Sequence, residues 1–141
     1  MQDNESANVR LIRRYFEELW NEGRVELVPE FLGESYVNHS PGTKDMPRDR
    51  SGVAGIVRAM RAAFPDLHYR IEELVAAGGA VAVRLTVTGT HLGDFFGSPP
   101  TGKSFQVTQF NLEHVEGGKI VAHHRATDEL SLLRQIGVLP P

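Results

Sequence analysis

Residues 80–91, Ala80-Val81-Ala82-Val83-Arg84-Leu85-Thr86-Val87-Thr88-Gly89-Thr90-His91, set apolar and polar side chains in near-strict alternation. Val81, Val83, Leu85 and Val87 fall on one side and Arg84, Thr86, Thr88 and Thr90 on the other, the pattern of a strand with one buried face. Gly78-Gly79 precedes it as a turn, and His68 to Ala77 reads as its hairpin partner. Phe105 to Val115 and Lys119 to Thr127 make a second hairpin around Glu116-Gly117-Gly118.

Upstream of Pro65 the apolar spacing is helical instead. Val9, Ile12, Phe16, Leu19 and Trp20 share one face, with Arg10, Arg13, Arg14, Glu17 and Glu18 opposite. Asn4 or Ser6 caps the start of this helix, and Asn21-Glu22-Gly23 ends it. A shorter helix follows over Val25 to Leu32, then an extended stretch from Ser35 to His39 and a polar loop from Ser40 to Arg50. Ser51 caps a third helix to about Phe64, with Val53, Ile56, Val57, Met60 and Phe64 as its buried stripe. A last helix, Glu129 to Ile136, starts at Asp128 and stops at Gly137. Helices first and hairpins afterwards predict an α+β fold. The expected architecture is a cone-shaped, strongly curved antiparallel or mixed sheet wrapped by about three N-terminal helices, with a short C-terminal helix and an interior pocket. Residues 1–141 form a single domain, since 15.6 kDa suffices for one substantial core.

Composition narrows the chemistry. Lys and Arg number 15 against 18 acids, for a net charge of −3, which gives no electrostatic reason to expect nucleic acid or an anionic membrane as partner. The absence of cysteine excludes disulfides, thiolate metal sites and a cysteine nucleophile. The acidic start, Met1 to Asn8, is unlike a secretory signal, and no apolar run approaches the roughly 20 residues of a membrane span. A cytoplasmic location is the expectation.

Two motifs mislead. Residues Gly97 to Ser104 match the phosphate-loop pattern letter for letter, but the residues that follow alternate like a strand, and Pro99 and Pro100 remove amide donors that the phosphate cradle needs. His114, His123 and His124, with His91, suggest a metal, yet adjacent histidines on a strand point to opposite faces. No metal site is expected.

Six stretches in order resemble the SnoaL-like polyketide cyclases of the nuclear transport factor 2-like superfamily. They are Trp20-Asn21-Glu22-Gly23, Tyr36-Val37-Asn38-His39, Ala63-Phe64-Pro65-Asp66-Leu67, Gly89 to Phe95, Gly97 to Lys103, and Asp128 to Leu139. The resemblance implies a cone with an interior pocket, a hydrophobic small-molecule substrate, and a homodimer through the outer sheet face. It also implies cofactor-independent ring closure by intramolecular aldol condensation, with a pocket aspartate as acid/base. This chain departs from the family at one place. Where the cyclases resemble E-H-W-D, it has Ala122-His123-His124-Arg125, so Arg125 stands at the acid position and the nearest carboxylate is Asp128.

Deprotonating carbon beside a carbonyl needs a base at the carbon and a donor at the developing enolate oxygen. Asp128 and His123 are the candidate catalytic groups. Asp128 reads equally as the cap of the last helix. Arg125 can hold an enolate or carboxylate oxygen through its planar donors. Strand alternation groups His123 and Arg125, with Val121, on one face, and Gln109 and Asn111 on one face of the partner strand. A three-residue loop, Glu116-Gly117-Gly118, sets Asn111 opposite His123 and Gln109 opposite Arg125; a two-residue loop exchanges the faces. This polar face lines either the pocket or the solvated outside. By the resemblance, Asn38 and His39 form a second pocket wall. Tyr15, Trp20, Tyr36 and Phe64 supply walls and core. His91, opening the glycine-rich loop, is structural. The leading function is a cyclase or isomerase; the alternatives are a non-catalytic ligand-binding or dimerisation module, an epoxide hydrolase, and a hydroxylation component.

Overall fold

A computed structural model describes residues 2–140. Helix α1 (Gln2–Arg14) runs without a break into a π-helical segment, Tyr15–Asn21, so Asn4 and Ser6 fall inside the helix rather than capping it. Wider π winding is a feature that recurs at functional sites. Here it brings Tyr15 and Trp20 to one wall of the interior cavity while Leu19 stays in the core. The expected second helix divides into a 3-10 turn (Val25–Leu27) and one turn of α-helix, α2 (Val28–Phe31). Strand β1 (Leu32–Asn38) follows directly.

Helix α3 (Val53–Ala63) is entered through a 3-10 turn, Arg50–Gly52. Asp49, not Ser51, is the cap: its Oδ1 accepts from the Ser51 amide at 3.0 Å. The strands are β2 (His68–Ala77), β3 (Ala80–Thr90), β4 (Ser104–Glu116) and β5 (Lys119–Thr127), and α4 (Glu129–Gln135) closes the chain. They form one five-stranded mixed sheet in the order β1-β5-β4-β3-β2, open at both edges, with β1 parallel to β5 and the other pairs antiparallel.

The alternation of β3 and β4 sorts the layers. Val81, Val83, Leu85 and Val87 are buried, as are Phe105, Val107, Gln109, Asn111, Glu113 and Val115. Ile12, Phe16, Leu19 and Phe31 from the helices meet this inner face, each burial stabilising by about 1.5–3 kcal/mol.

The β4–β5 hairpin corrects the expected register. Its loop has two residues, Gly117 and Gly118, both at positive φ, with Glu116 opposite Lys119. Such a loop would exchange the faces of β5, but a bulge at Val121 restores them. Val115 pairs with Ile120 and His114 with Ala122, leaving Val121 as the extra residue. Ile120, not Val121, is the wholly buried residue there. Beyond the bulge, Glu113 faces His123, Asn111 faces Arg125 and Gln109 faces Thr127. The four polar side chains do share the inner face, shifted two residues from the expected partners.

The recurring stretches have structural duties. Asn21 acts like a residue of a neighbouring strand at the free edge of β2: Tyr69 N donates to its Oδ1 at 2.7 Å and its Nδ2 donates to Tyr69 O at 3.0 Å. Arg61 donates to the carbonyls of Trp20 and Leu67 at 3.0 and 3.1 Å, locking α3 to both neighbouring turns. Asp66 accepts from the amide and hydroxyl of Thr90, both at 2.7 Å, and these bonds hold its carboxyl below the ordinary range. The phosphate-loop look-alike leads into β4, not a helix, and the amide of Gly97 bonds Asp94.

Candidate active site

A cavity of about 300 Å³ lies between the inner sheet face and the helices, within the range of small-molecule sites. Phe16, Trp20, Met60, Tyr69, Phe105 and Leu132 contribute apolar wall. One flank is polar, formed by Gln109, Asn111, His123, Arg125 and Thr127 from β4 and β5. A smaller lobe beside it is bounded by Tyr15, Tyr36 and Asn38 together with His123 and Arg125.

The sharpest feature is Glu113. Its side chain is wholly buried, and its Oε1 lies 2.6 Å from His123 Nδ1. Facing a carboxylate, Nδ1 carries the hydrogen, which leaves Nε2, without a partner among the described residues, as the imidazole atom available to the cavity. The second oxygen, Oε2, is buried without a hydrogen-bond partner among the described residues. Burial above all pushes the phenols of Tyr15 and Tyr36 well above the usual tyrosine range, the neighbouring Tyr36 and then Glu113 adding to it for Tyr15 and Glu113 for Tyr36, so both remain donors. Asn38 sits beside His123 in the β1–β5 pairing. Its Oδ1 accepts from Ser40 N at 2.8 Å, leaving Nδ2 uncommitted.

A second polar chain runs along the flank. Asn111 Nδ2 donates to Gln109 Oε1 and Gln109 Nε2 donates to Thr127 Oγ1, each at 2.9 Å, while Asn111 Oδ1 is buried and unpartnered. Arg125 is half-buried, with its amide donating to Ser40 Oγ and its Nη2 to Ser40 O, both at 2.9 Å.

Of the residues singled out from sequence, His123, Arg125, Gln109, Asn111, Tyr15 and Trp20 meet at the main cavity, and Tyr36 and Asn38 at its smaller lobe. The other three lie elsewhere. Asp128 is exposed, lines neither space and caps α4, its Oδ1 accepting from Ser131 N at 3.2 Å. His39 is exposed and stacks on His124, with centroids 4.6 Å apart and planes within 5°. Phe64 is wholly buried behind the wall, packed on His91, Phe95 and Phe105. Sequence reasoning missed Glu113. The alternation that selected Gln109 and Asn111 reaches it two residues further, but the expected register set it opposite Val121.

Among the described residues no group of three or more His, Asp or Glu is placed to hold a metal ion, and no helix is long and apolar enough to cross a membrane. His123 and His124 face opposite sides of the sheet, as alternation requires.

Comparison with known proteins agrees with this fold. The chain is 32% identical over 136 residues to the aklanonic acid methyl ester cyclase DnrD of Streptomyces peucetius, covering 94% of this chain and 92% of that protein. It is 31% identical over 120 residues to the nogalonic acid methyl ester cyclase of Streptomyces nogalater, covering 84% and 89% of the two. The crystal structure of IdmH from Streptomyces antibioticus superposes with a TM-score of 0.81 at 34% identity, over 92% of this chain and 98% of that one. The family model for SnoaL-like polyketide cyclases matches residues 10–136, and the chain belongs to that family.

Proposed function

We propose that this protein closes a ring in a hydrophobic, polyketide-like carbonyl compound by moving a proton at the carbon beside the carbonyl, with His123 as the acid/base. The buried Glu113–His123 pair at the polar flank of the cavity carries this reading. Nε2 of His123 takes the proton from carbon, and the electron pair passes to the carbonyl oxygen as an enolate. Asn38 Nδ2 supplies a donor to that oxygen beside His123. The enolate carbon attacks a second carbonyl of the same molecule, and the resulting alkoxide takes the proton back from the imidazolium. Glu113 is a positioning residue: it fixes the tautomer and offsets the imidazolium charge. Tyr69, Trp20 and Phe105 exclude water and hold a flat, apolar substrate.

Two cyclases of methyl esters among its relatives support this class of substrate. The polar flank argues against a purely apolar binding module. An epoxide hydrolase needs two carboxylates around one water, whereas Glu129 is the one carboxylate among the cavity-lining residues, Glu113 is engaged by His123 and Asp128 lies outside. We further propose a homodimer through the outer sheet face, where Phe110 and Leu112 are 55% and 38% exposed, with Val75 two strands from Leu112 in the same cross-strand row.

The test is cyclisation of aklanonic acid methyl ester and nogalonic acid methyl ester by the wild type, His123→Gln and Asp128→Ala. The expected result is turnover by the wild type and Asp128→Ala and a loss of about 10²–10⁴-fold for His123→Gln. Full activity in His123→Gln refutes its role, and no turnover of either ester by the wild type refutes the substrate class.

A further inference from the structure

Arg125 places a cation in a wall whose one carboxylate, the exposed Glu129 of the first turn of α4, forms no ion pair with it. None of the ion pairs among the described residues includes it. Of the five N–H donors of a guanidinium, one is used, on Ser40 O, and four have no partner among the described residues. The nearest buried carboxylate, Glu113, gives its bonded oxygen to His123. A half-buried cation without a counter-charge is costly, and the cost is recovered when an anion arrives in the fork.

The strand partner of Arg125 supplies a second observation. Asn111, 4% exposed, ends the Thr127–Gln109–Asn111 chain with an unpartnered amide oxygen. Because a hydroxyl both donates and accepts, the chain can reverse. Thr127 then donates to Gln109, Gln109 donates to Asn111, and the free end at Asn111 becomes an N–H. An anion on Arg125 selects that polarity and gains a further donor from the facing strand.

We propose that Arg125 and Asn111 form a carboxylate-binding subsite, and that this protein, while able to turn over a neutral ester, prefers a substrate that also bears a free carboxylate away from the reacting carbon. The two relatives named above take methyl esters, which have no charge to offer such a fork. The inference rests on the cavity being the substrate site, as proposed above, but not on His123 being the base. Arg125 acts here as a specificity residue: Ser40 holds its backbone amide and one guanidinium N–H, which orients the head and leaves its other four donors for the ligand.

The experiment is titration calorimetry with anthraquinone-2-carboxylate and its methyl ester, a pair differing in charge on one flat, apolar frame. The wild type is expected to bind the acid at least about tenfold more tightly than the ester. Arg125→Met should bring the two within about threefold, Arg125→Lys should keep part of the preference, and Asn111→Leu should lower affinity for the acid alone. His123→Gln should retain the full preference, so loss of turnover with retained preference separates the two proposals. Equal binding of acid and ester by the wild type, absence of acid binding, or an undiminished preference in Arg125→Met overturns the subsite. Should Arg125→Met fail to unfold cooperatively, Arg125→Gln provides the same comparison.

Discussion

Replacing Glu113 with Gln keeps the shape of the side chain and removes its charge, so it isolates what the carboxylate contributes to His123. In the ground state the loss is one charge-assisted bond of 2.6 Å, exchanged for a neutral one. The larger effect comes when His123 holds the proton taken from carbon, because an imidazolium then faces an amide instead of a carboxylate. Hydrogen bonds to charged partners contribute about 1.5–3 kcal/mol, which converts to a fall in kcat of about 10- to 150-fold. If the amide turns its nitrogen toward Nδ1, the ring hydrogen moves to Nε2, the base is blocked and the fall is greater. Stability should not follow activity. The wild-type carboxylate already carries a desolvated, unpartnered Oε2, and a neutral amide is less costly to bury. The assay is steady-state cyclisation of aklanonic acid methyl ester alongside thermal unfolding. The expected pattern is a lower kcat, a KM within about twofold of the wild type and little change in Tm. A kcat within threefold of the wild type refutes the positioning role, as does a rise in KM with kcat unchanged.

Other outcomes follow from features away from the cavity. Gly93→Ala would drive a methyl group into the carbonyl oxygen of Ala62 at the end of α3, so unfolding stability should fall by about 2 kcal/mol or more, read from urea denaturation. Asp66→Ala removes both bonds to Thr90. Because this carboxylate is mostly exposed, the cost near neutral pH is about 0.5–1 kcal/mol. Its lowered carboxyl pKa stabilises the fold above the ordinary aspartate value, so the gap between wild type and variant should close as pH falls from about 4 through that lowered pKa. Phe110→Arg should convert a dimer to a monomer in sedimentation velocity while the monomer keeps its fold; a monomeric wild type would refute the outer-face association.

The strands were readable from sequence because a half-buried sheet imposes a period of two: β2 and β5 have the expected bounds, and β3 and β4 differ by a residue at their ends. Helix termini were less so. Asp49 outcompeted Ser51 as a cap through the same kind of bond that Ser51 was expected to make, and local pattern cannot rank two such candidates two residues apart. The polar flank was legible as a set of residues sharing a face, but not as pairs. Pairing depends on loop length and on the bulge at Val121, and a bulge leaves no signature in apolar spacing. That one gap accounts for the absence of Glu113 from the expected site. Asp128 was ambiguous for a related reason: an aspartate before a helix satisfies both a cap and a sequence-level search for an acid, and only its bond to Ser131 and its place outside the cavity distinguish them.

The bulge also gives β5 an uneven tolerance to changes in length. With Val121 as the surplus residue, Ile120 and Ala122 already face consecutive partners on β4, and Gly33 leaves its side chain room against β1. A one-codon deletion there would produce a plain hairpin with His123 still against Glu113. The same deletion at His124 would turn Arg125 to the outside and bring Ala126 into the cavity in its place. Drift in the length of this strand is therefore confined to the two or three codons before His123, and those after it are held in phase by the cavity.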